Sequence, residues 1–212
     1  MSSPLLNLPY FGNVAHWAAI AGAEAFILEA WGPYQRRTFR TRSSILTTDG
    51  PLDISVPVHT GHSLLYKDVL LNYDTPWQRQ HVYALETAYN STPFFEFMID
   101  DFRDVYSRKY EHLWDFNMAM MLTVARLAGI KLNFSLTDSF APPVAGVQDF
   151  RVAIEPKMSH VLNSVFKPVP YYQVFATPYT DKPFTPWMSI LDMLFNMGPE
   201  SRDVLRSMQP IR

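Results

Sequence analysis

The sequence predicts an α/β protein of one domain, residues 1–212, built on a mixed, partly parallel sheet. Three observations carry that expectation. Residues 5–30 read strand, helix, strand, and such a unit makes a right-handed crossover between parallel strands. Residues 75–128 carry apolar residues at helical spacing through three successive segments. From residue 141 to residue 179 prolines recur and periodicity fades, as expected of an extended region packed on the rest and not of a second domain.

Taken in order, Leu5 to Tyr10 is a short buried strand, followed by a turn at Phe11-Gly-Asn13. Asn13 is a good N-cap for a helix running to about Gly22, and its many alanines suit close packing on a sheet. Ala25 to Ala30 is the second strand. Ser44–Thr47 and Leu52–Val58 form a hairpin around Asp49-Gly50, with Leu52, Ile54, Val56 and Val58 on the buried face. Lys67 to Tyr73 reads as a further strand, with Val69 and Leu71 on one face. Thr75-Pro-Trp-Gln78 is a helix start, with Thr75 as N-cap and Gln78 completing a capping box. That helix runs to about Asn90, a second spans Phe94 to Tyr106, and a third spans Tyr110 to Ala128, closed by Gly129. In the third, Leu113, Phe116, Met120, Val124 and Leu127 form a buried stripe. Leu132 to Leu136 is one more strand, Ser189 to Phe195 a short helix, and Gly198-Pro-Glu200 leads into a last helix through Ser207.

Composition removes several chemistries. There are no cysteines, so disulfides, thiolate nucleophiles and Cys-ligated metal centres are excluded. Apolar residues make up 48% and charged residues 18%, which argues for a compact globule and against disorder. A net charge of -2 gives nucleic acid no general electrostatic attraction, so any anion site is local. The apolar run Val14 to Ala30 is broken by His16, Glu24 and Glu29 and is too polar to span a bilayer. No Lys or Arg precedes Arg36, so a secretory leader is not expected and a cytoplasmic protein is the simplest reading. Walker A, Gly-x-Gly-x-x-Gly and Gly-x-Ser-x-Gly patterns are absent, and the sequence specifies no cofactor.

The stretch Tyr34-Gln-Arg-Arg-Thr-Phe-Arg-Thr-Arg42 is the densest chemistry in the chain. It holds Arg36, Arg37, Arg40 and Arg42, where the whole sequence has 18 Lys+Arg. Guanidinium forks match phosphate and carboxylate oxygens. In an extended strand Arg36, Arg40 and Arg42 would share one face and require an anion between them, unless they pair with Asp and Glu or stay solvated. Tyr34 and Gln35 lead into the cluster and are counted with it. Asn13 and His16 stand at a helix start, where free N–H groups favour anions; a lone histidine there is more often structural, and the sharper alternative makes His16, with His81, a candidate general base. His81 lies on the stripe Trp77, His81, Leu85, Ala88, which makes a satisfied core histidine the default and general-base catalysis the sharper alternative. Tyr89 and Ser91, where this helix ends, are in reach of the strand ends. His59 and His62 have a weak ligand spacing, and no metal site is assigned.

The chain resembles the WbqC-like family of bacterial proteins over nearly its whole length. The resemblance rests on Pro9-Tyr-Phe, Tyr34-Gln, Arg40-Thr-Arg42, Ile54-Ser-Val-Pro57 and Trp77-Gln-Arg-Gln-His81. It continues through Ala88-Tyr-Asn-Ser-Thr-Pro-Phe-Phe95, Tyr171-Tyr-Gln-Val-Phe175 and Ser189-Ile-Leu-Asp192 with Asn196-Met-Gly198. Members occur in surface-polysaccharide (O-antigen) clusters, and the resemblance implies a transferase role, acyl or aminoacyl transfer to a nucleotide- or lipid-linked amino sugar. Two positions depart from the family's pattern: Thr41 stands where an Asn is usual, and Ala30 where a Gln is common. The partner expected is therefore a small molecule, a nucleotide-sugar or glycan intermediate. The alternative is a non-catalytic protein that binds such an intermediate or scaffolds other enzymes, using Phe166, Tyr171, Tyr172, Phe175, Tyr179, Phe184 and Trp187 as an exposed aromatic surface.

Overall fold

The computed structural model describes residues 3–59, 64–142, 148–176, 182–208 and 210–211. Strand β1 (Leu5–Asn7) leads into α1 (Val14–Ala21) and β2 (Phe26–Glu29), and β1 and β2 pair in parallel with Leu6 opposite Leu28. The N-terminal β-α-β unit is therefore present. β5 (Phe134–Leu136) pairs in parallel on the other side of β2, giving the order β1-β2-β5. β3 (Arg42–Thr47) and β4 (Gly50–Ser55) form a separate antiparallel hairpin, so the parallel and antiparallel pairings occupy two sheets. Gly50 closes the hairpin at φ +114°, a backbone conformation that only glycine adopts easily.

The central helices are α2 (Trp77–Tyr89), α3 (Phe95–Ser107) and α4 (Leu113–Leu127); α5 (Leu162–Val165), α6 (Ile190–Met197) and α7 (Ser201–Ser207) follow. Asn13 caps α1 by accepting from the His16 N–H at 2.9 Å. α1 packs against α6 and α7, and Val14 through Ile20 are all buried, as befits a helix enclosed on every side. On α4 the expected stripe is buried at Leu113, Phe116, Met120 and Val124, and Gly129 adopts φ +64° just past the helix end. Among the described residues no helix is long and apolar enough to cross a membrane.

Four local expectations change. The segment Lys67 to Tyr73 is not a strand but a 3-10 turn, Tyr66–Asp68, followed by isolated bridges from Leu71 to Val58 and from Leu70 to His112. Its alternation survives, with Val69 and Leu71 buried and Leu70 exposed, because burial and not ladder pairing sets that pattern. Thr75 does not cap α2, whose N-cap is Pro76 with no side-chain cap bond. Gln78 donates instead to the Tyr106 and Arg108 carbonyls at 2.6 and 2.9 Å, meeting acceptors that the end of α3 leaves open. β4 ends at Ser55, short of Pro57, and Leu52 is exposed while Ile54 and Val56 are buried. The proline-rich region holds a 3-10 stretch, Pro156–Val161, running into α5.

Candidate anion site at the carboxyl edge of the sheet

β1 ends on Asn7, at the edge where open parallel sheets hold ligands. The Asn7 side-chain Oδ1 accepts from Arg40 Nη2 at 2.8 Å, and its Nδ2 donates to the Arg151 carbonyl at 2.9 Å and to Glu155 Oε1 at 3.1 Å. Arg40 is only 5% exposed, yet its Nε and Nη1 have no hydrogen-bond partner among the described residues. Among the described residues it makes no ion pair. Its guanidinium lies 5.1 Å from the centroid of the Tyr66 ring. Asn117 on α4 donates from Nδ2 to the Arg40 carbonyl at 2.7 Å and sits 2.6 Å from the Tyr66 hydroxyl, which donates to the Leu8 carbonyl at 2.8 Å. The Asn117 Oδ1 is itself buried without a partner among the described residues.

Unmet donors on a buried cation are costly, roughly 1–3 kcal/mol for each polar group and more where charged. The arrangement suits ligand oxygens from phosphate or carboxylate, which guanidinium binds through charge-assisted hydrogen bonds. Glu155 feels this cation: burial pushes its carboxyl up, and the field of Arg40 opposes that most strongly.

The arginine stretch is not extended. Thr38 Oγ1 donates to the Gln35 carbonyl, and the Thr41 and Arg42 amides donate to the Thr38 carbonyl, so residues 35–42 turn back on themselves. Arg37 sits at φ +61°, strain of about 1–2 kcal/mol for a residue with a side chain. The shared face expected of an extended strand is therefore lost. Arg36 and Arg37 are exposed, Arg40 is buried, and Arg42 opens β3 half-buried. Tyr34 is still gathered with them. Its half-buried hydroxyl is pushed up by desolvation, against a hydrogen bond with Thr41 and the fields of Arg36, Arg40 and Arg42. Gln35 is exposed.

Asn13 and His16 belong to a different junction. The starts of α1 and α6 meet head to head: the Val14 amide donates to the Met188 carbonyl, and the Ile190 amide to the Gly12 carbonyl. Asn13 Nδ2 and His16 Nε2 are buried without partners among the described residues, and desolvation alone pushes His16 down to about 3. His81 lies in a third place. Its Nδ1 is 2.8 Å from the Tyr10 hydroxyl, which also contacts the Tyr106 hydroxyl, and it bonds to the Ser55 backbone. Burial holds it down at about 4. Tyr89 accepts from the Leu46 amide at 2.9 Å and bonds to Asp192, whereas Ser91 is exposed beyond the end of α2.

The structure thus joins Tyr34, Arg36, Arg40 and Arg42, and sets the two histidines apart from them. Sequence reasoning missed Asn7, Tyr66, Asn117 and Glu155. Asn7 had a usable signal, an amide ending a parallel strand; Glu155 had none, since its region lacks periodicity. Close by, Arg151 is buried between Glu29 (2.7 Å) and Asp149 (2.6 Å) and also bonds the Ala141 carbonyl, so that cation is fully engaged and ties β2 to the loop after β5.

The aromatic residues of the proline-rich region are mostly packed inside: Phe166 and Tyr171 are buried, Phe175, Phe184 and Trp187 half-buried, and Tyr172 exposed. Tyr179 and His62 lie outside the described residues. Among the described residues no group of three or more His, Asp or Glu side chains is placed to hold a metal.

Relatives agree with this picture at the level of the family. The WbqC-like protein family matches residues 7–164. An uncharacterized protein of Mycobacterium tuberculosis, Rv1507c, is 27% identical over 208 residues, covering 88% of this chain and 90% of the relative. No solved structure matches. The matched span contains Asn7, the arginine turn, α2 to α4 and Glu155, all the parts of the Arg40 centre, and the chain belongs to the WbqC-like protein family.

Proposed function

We propose that the Arg40 centre binds the phosphate or carboxylate of an activated sugar. On this proposal the protein is an enzyme of surface-glycan assembly that transfers an acyl or aminoacyl group to a nucleotide- or lipid-linked amino sugar. One observation supports the anion-binding part: a buried guanidinium that has, among the described residues, two unmet donors and no carboxylate paired to it. Family membership supports the glycan part, by association and not by site chemistry. Neither histidine is tuned as a base near neutral pH, since burial holds His16 at about 3 and His81 at about 4. The centre therefore accounts for binding and orientation of an anionic group, and the proton-transfer residue stays unassigned.

Isothermal titration with inorganic phosphate, acetate and nucleotide-linked amino sugars tests the proposal. The wild-type chain is expected to bind at least one of them saturably. Arg40→Ala should weaken that binding by about tenfold to a hundredfold, the worth of one charge-assisted hydrogen bond or slightly more. Arg40→Lys, which keeps the charge and loses the fork, should fall between the two. Absence of saturable binding by the wild type, or equal affinity in folded Arg40→Ala and Arg40→Lys proteins, would overturn the reading.

A further inference from the structure

A groove of about 550 Å³ opens at the carboxyl edge of the sheet, between the residues that follow β2 and β5 and the start of α4. Trp31 and Asp138 come from the two strand ends, and His112, Trp114 and Asp115 from the first turn of α4 and its cap. Its volume is that of a small-molecule site, and its place is where such sites form on parallel sheets. The groove lies next to the Arg40 centre without sharing its donors. Tyr66 touches both, meeting Trp114 edge-on at 5.3 Å and the Arg40 guanidinium at 5.1 Å.

The lining selects the ligand. Trp31 leaves 37% of its surface exposed, an apolar platform at the mouth. The Lys67 ammonium rests 3.3 Å from the centroid of that ring, so one face of the indole is engaged by a cation and the exposed remainder of the ring is the surface offered to a C–H face. Around it stand Asp115, with its side chain 62% exposed, and His112, 3.8 Å away and 35% exposed. Asp138 is exposed too. Carboxylates accept hydrogen bonds from hydroxyl groups, and the two in the lining outnumber its one ammonium, Lys67, which is itself engaged on Trp31, so an anionic group is disfavoured here. A wholly apolar ligand would strip water from both carboxylates without replacing their hydrogen bonds. A pyranose ring meets both demands, with one C–H face for the indole and a rim of hydroxyls for the carboxylates and imidazole.

We infer that this groove binds the pyranose ring of a hexose or amino-hexose, with Trp31 as the stacking platform and Asp115 as the main hydroxyl acceptor. The inference rests on the activated-sugar reading for the rest of the ligand, and divides the labour between two adjoining places: Arg40 for the anionic group, the groove for the ring.

Saturation-transfer NMR and titration of the full chain with methyl glycosides of neutral, 2-amino and 2-acetamido hexopyranoses test it, because these probes carry no phosphate. At least one class is expected to bind saturably with a Kd on the order of a millimolar. Trp31→Ala and Asp115→Asn, both at exposed positions and checked for folding by circular dichroism, should each weaken it about tenfold. Failure of all three classes to bind, or binding unaffected by both groove variants, would overturn the inference. If the sugars bind while phosphate and carboxylate do not, the Arg40 reading fails and the groove stands. The reverse result removes the groove alone.

Discussion

Asp192 carries the clearest residue-scale consequence. Asp192 is 1% exposed on α6, and among the described residues its carboxylate takes donors from neutral groups only: the Tyr171 hydroxyl at 2.6 Å, Gln173 Nε2 at 2.7 Å, Tyr89 and, at 3.5 Å, Asn196 Nδ2. Desolvation pushes it from 3.8 up to about 6, against the hydrogen bonds from Tyr171, Gln173 and Tyr89. A carboxyl raised in the folded state favours folding when protonated, so its contribution is present below about pH 4 and is lost as pH rises through about 6. A shift of this size corresponds to about 3 kcal/mol. Asp192→Asn is therefore expected to be more stable than wild type at pH 8, by up to about 3 kcal/mol, with the advantage shrinking to nothing near pH 4. Urea unfolding of both proteins across that range checks it, and the difference between them cancels the histidines. A constant difference at all pH values would mean that Asp192 does not titrate there.

At the scale of elements, the end of α6 depends on a glycine that cannot be replaced cheaply. Gly198 has φ +58°, and a Cβ there would fall 2.5 Å from the Phe94 ring, where the Phe94 amide donates to the Phe195 carbonyl. Backbone strain and overpacking each cost about 1–3 kcal/mol. Gly198→Ala should lower stability by roughly 2–4 kcal/mol, or about 4–16 °C in Tm for a chain of this length. Calorimetry of the variant measures it, and a Tm within a degree of wild type would show that the α6 end relaxes freely. The motifs quoted for the family resemblance acquire a physical meaning at this scale. Tyr89, Tyr171, Gln173, Asp192 and Asn196 come from three of them and meet in one buried polar cluster: Asn196 accepts from the Val174 amide at 3.0 Å and donates to the Asp192 carbonyl at 2.7 Å. Buried groups need partners, so segments far apart in sequence are held together by donors and acceptors that water cannot reach.

For the whole molecule, one hydrophobic cluster runs from Leu6 on β1 through α1 to α4 and on to Leu205 and Met208 near the end of the chain. A continuous core predicts a single cooperative unfolding transition, with far-ultraviolet dichroism and tryptophan fluorescence sharing one midpoint. Two separated midpoints would divide the chain into independently stable units. The parallel β-α-β unit, the hairpin at Asp49-Gly50 and the stripe on α4 were legible because each depends on local periodicity, capping and turn chemistry. The turn at Tyr66–Asp68 and the failed cap at Thr75 were not, because contacts distant in sequence override local preference there: Tyr66 bonds Leu8, and Gln78 bonds the end of α3. The candidate site divides in the same way. Its arginines were legible as a charge cluster, and their separation into exposed, half-buried and buried was not.

Class, element order and the cationic segment were thus determined by sequence, since side-chain period and charge are properties of neighbours along the chain. Tertiary structure alone decided that Arg40, of the four arginines, is enclosed with unmet donors. Burial depends on Asn7, Tyr66, Asn117 and Glu155, which arrive from residues 33 before it to 115 after it, and no local pattern encodes which of them will meet.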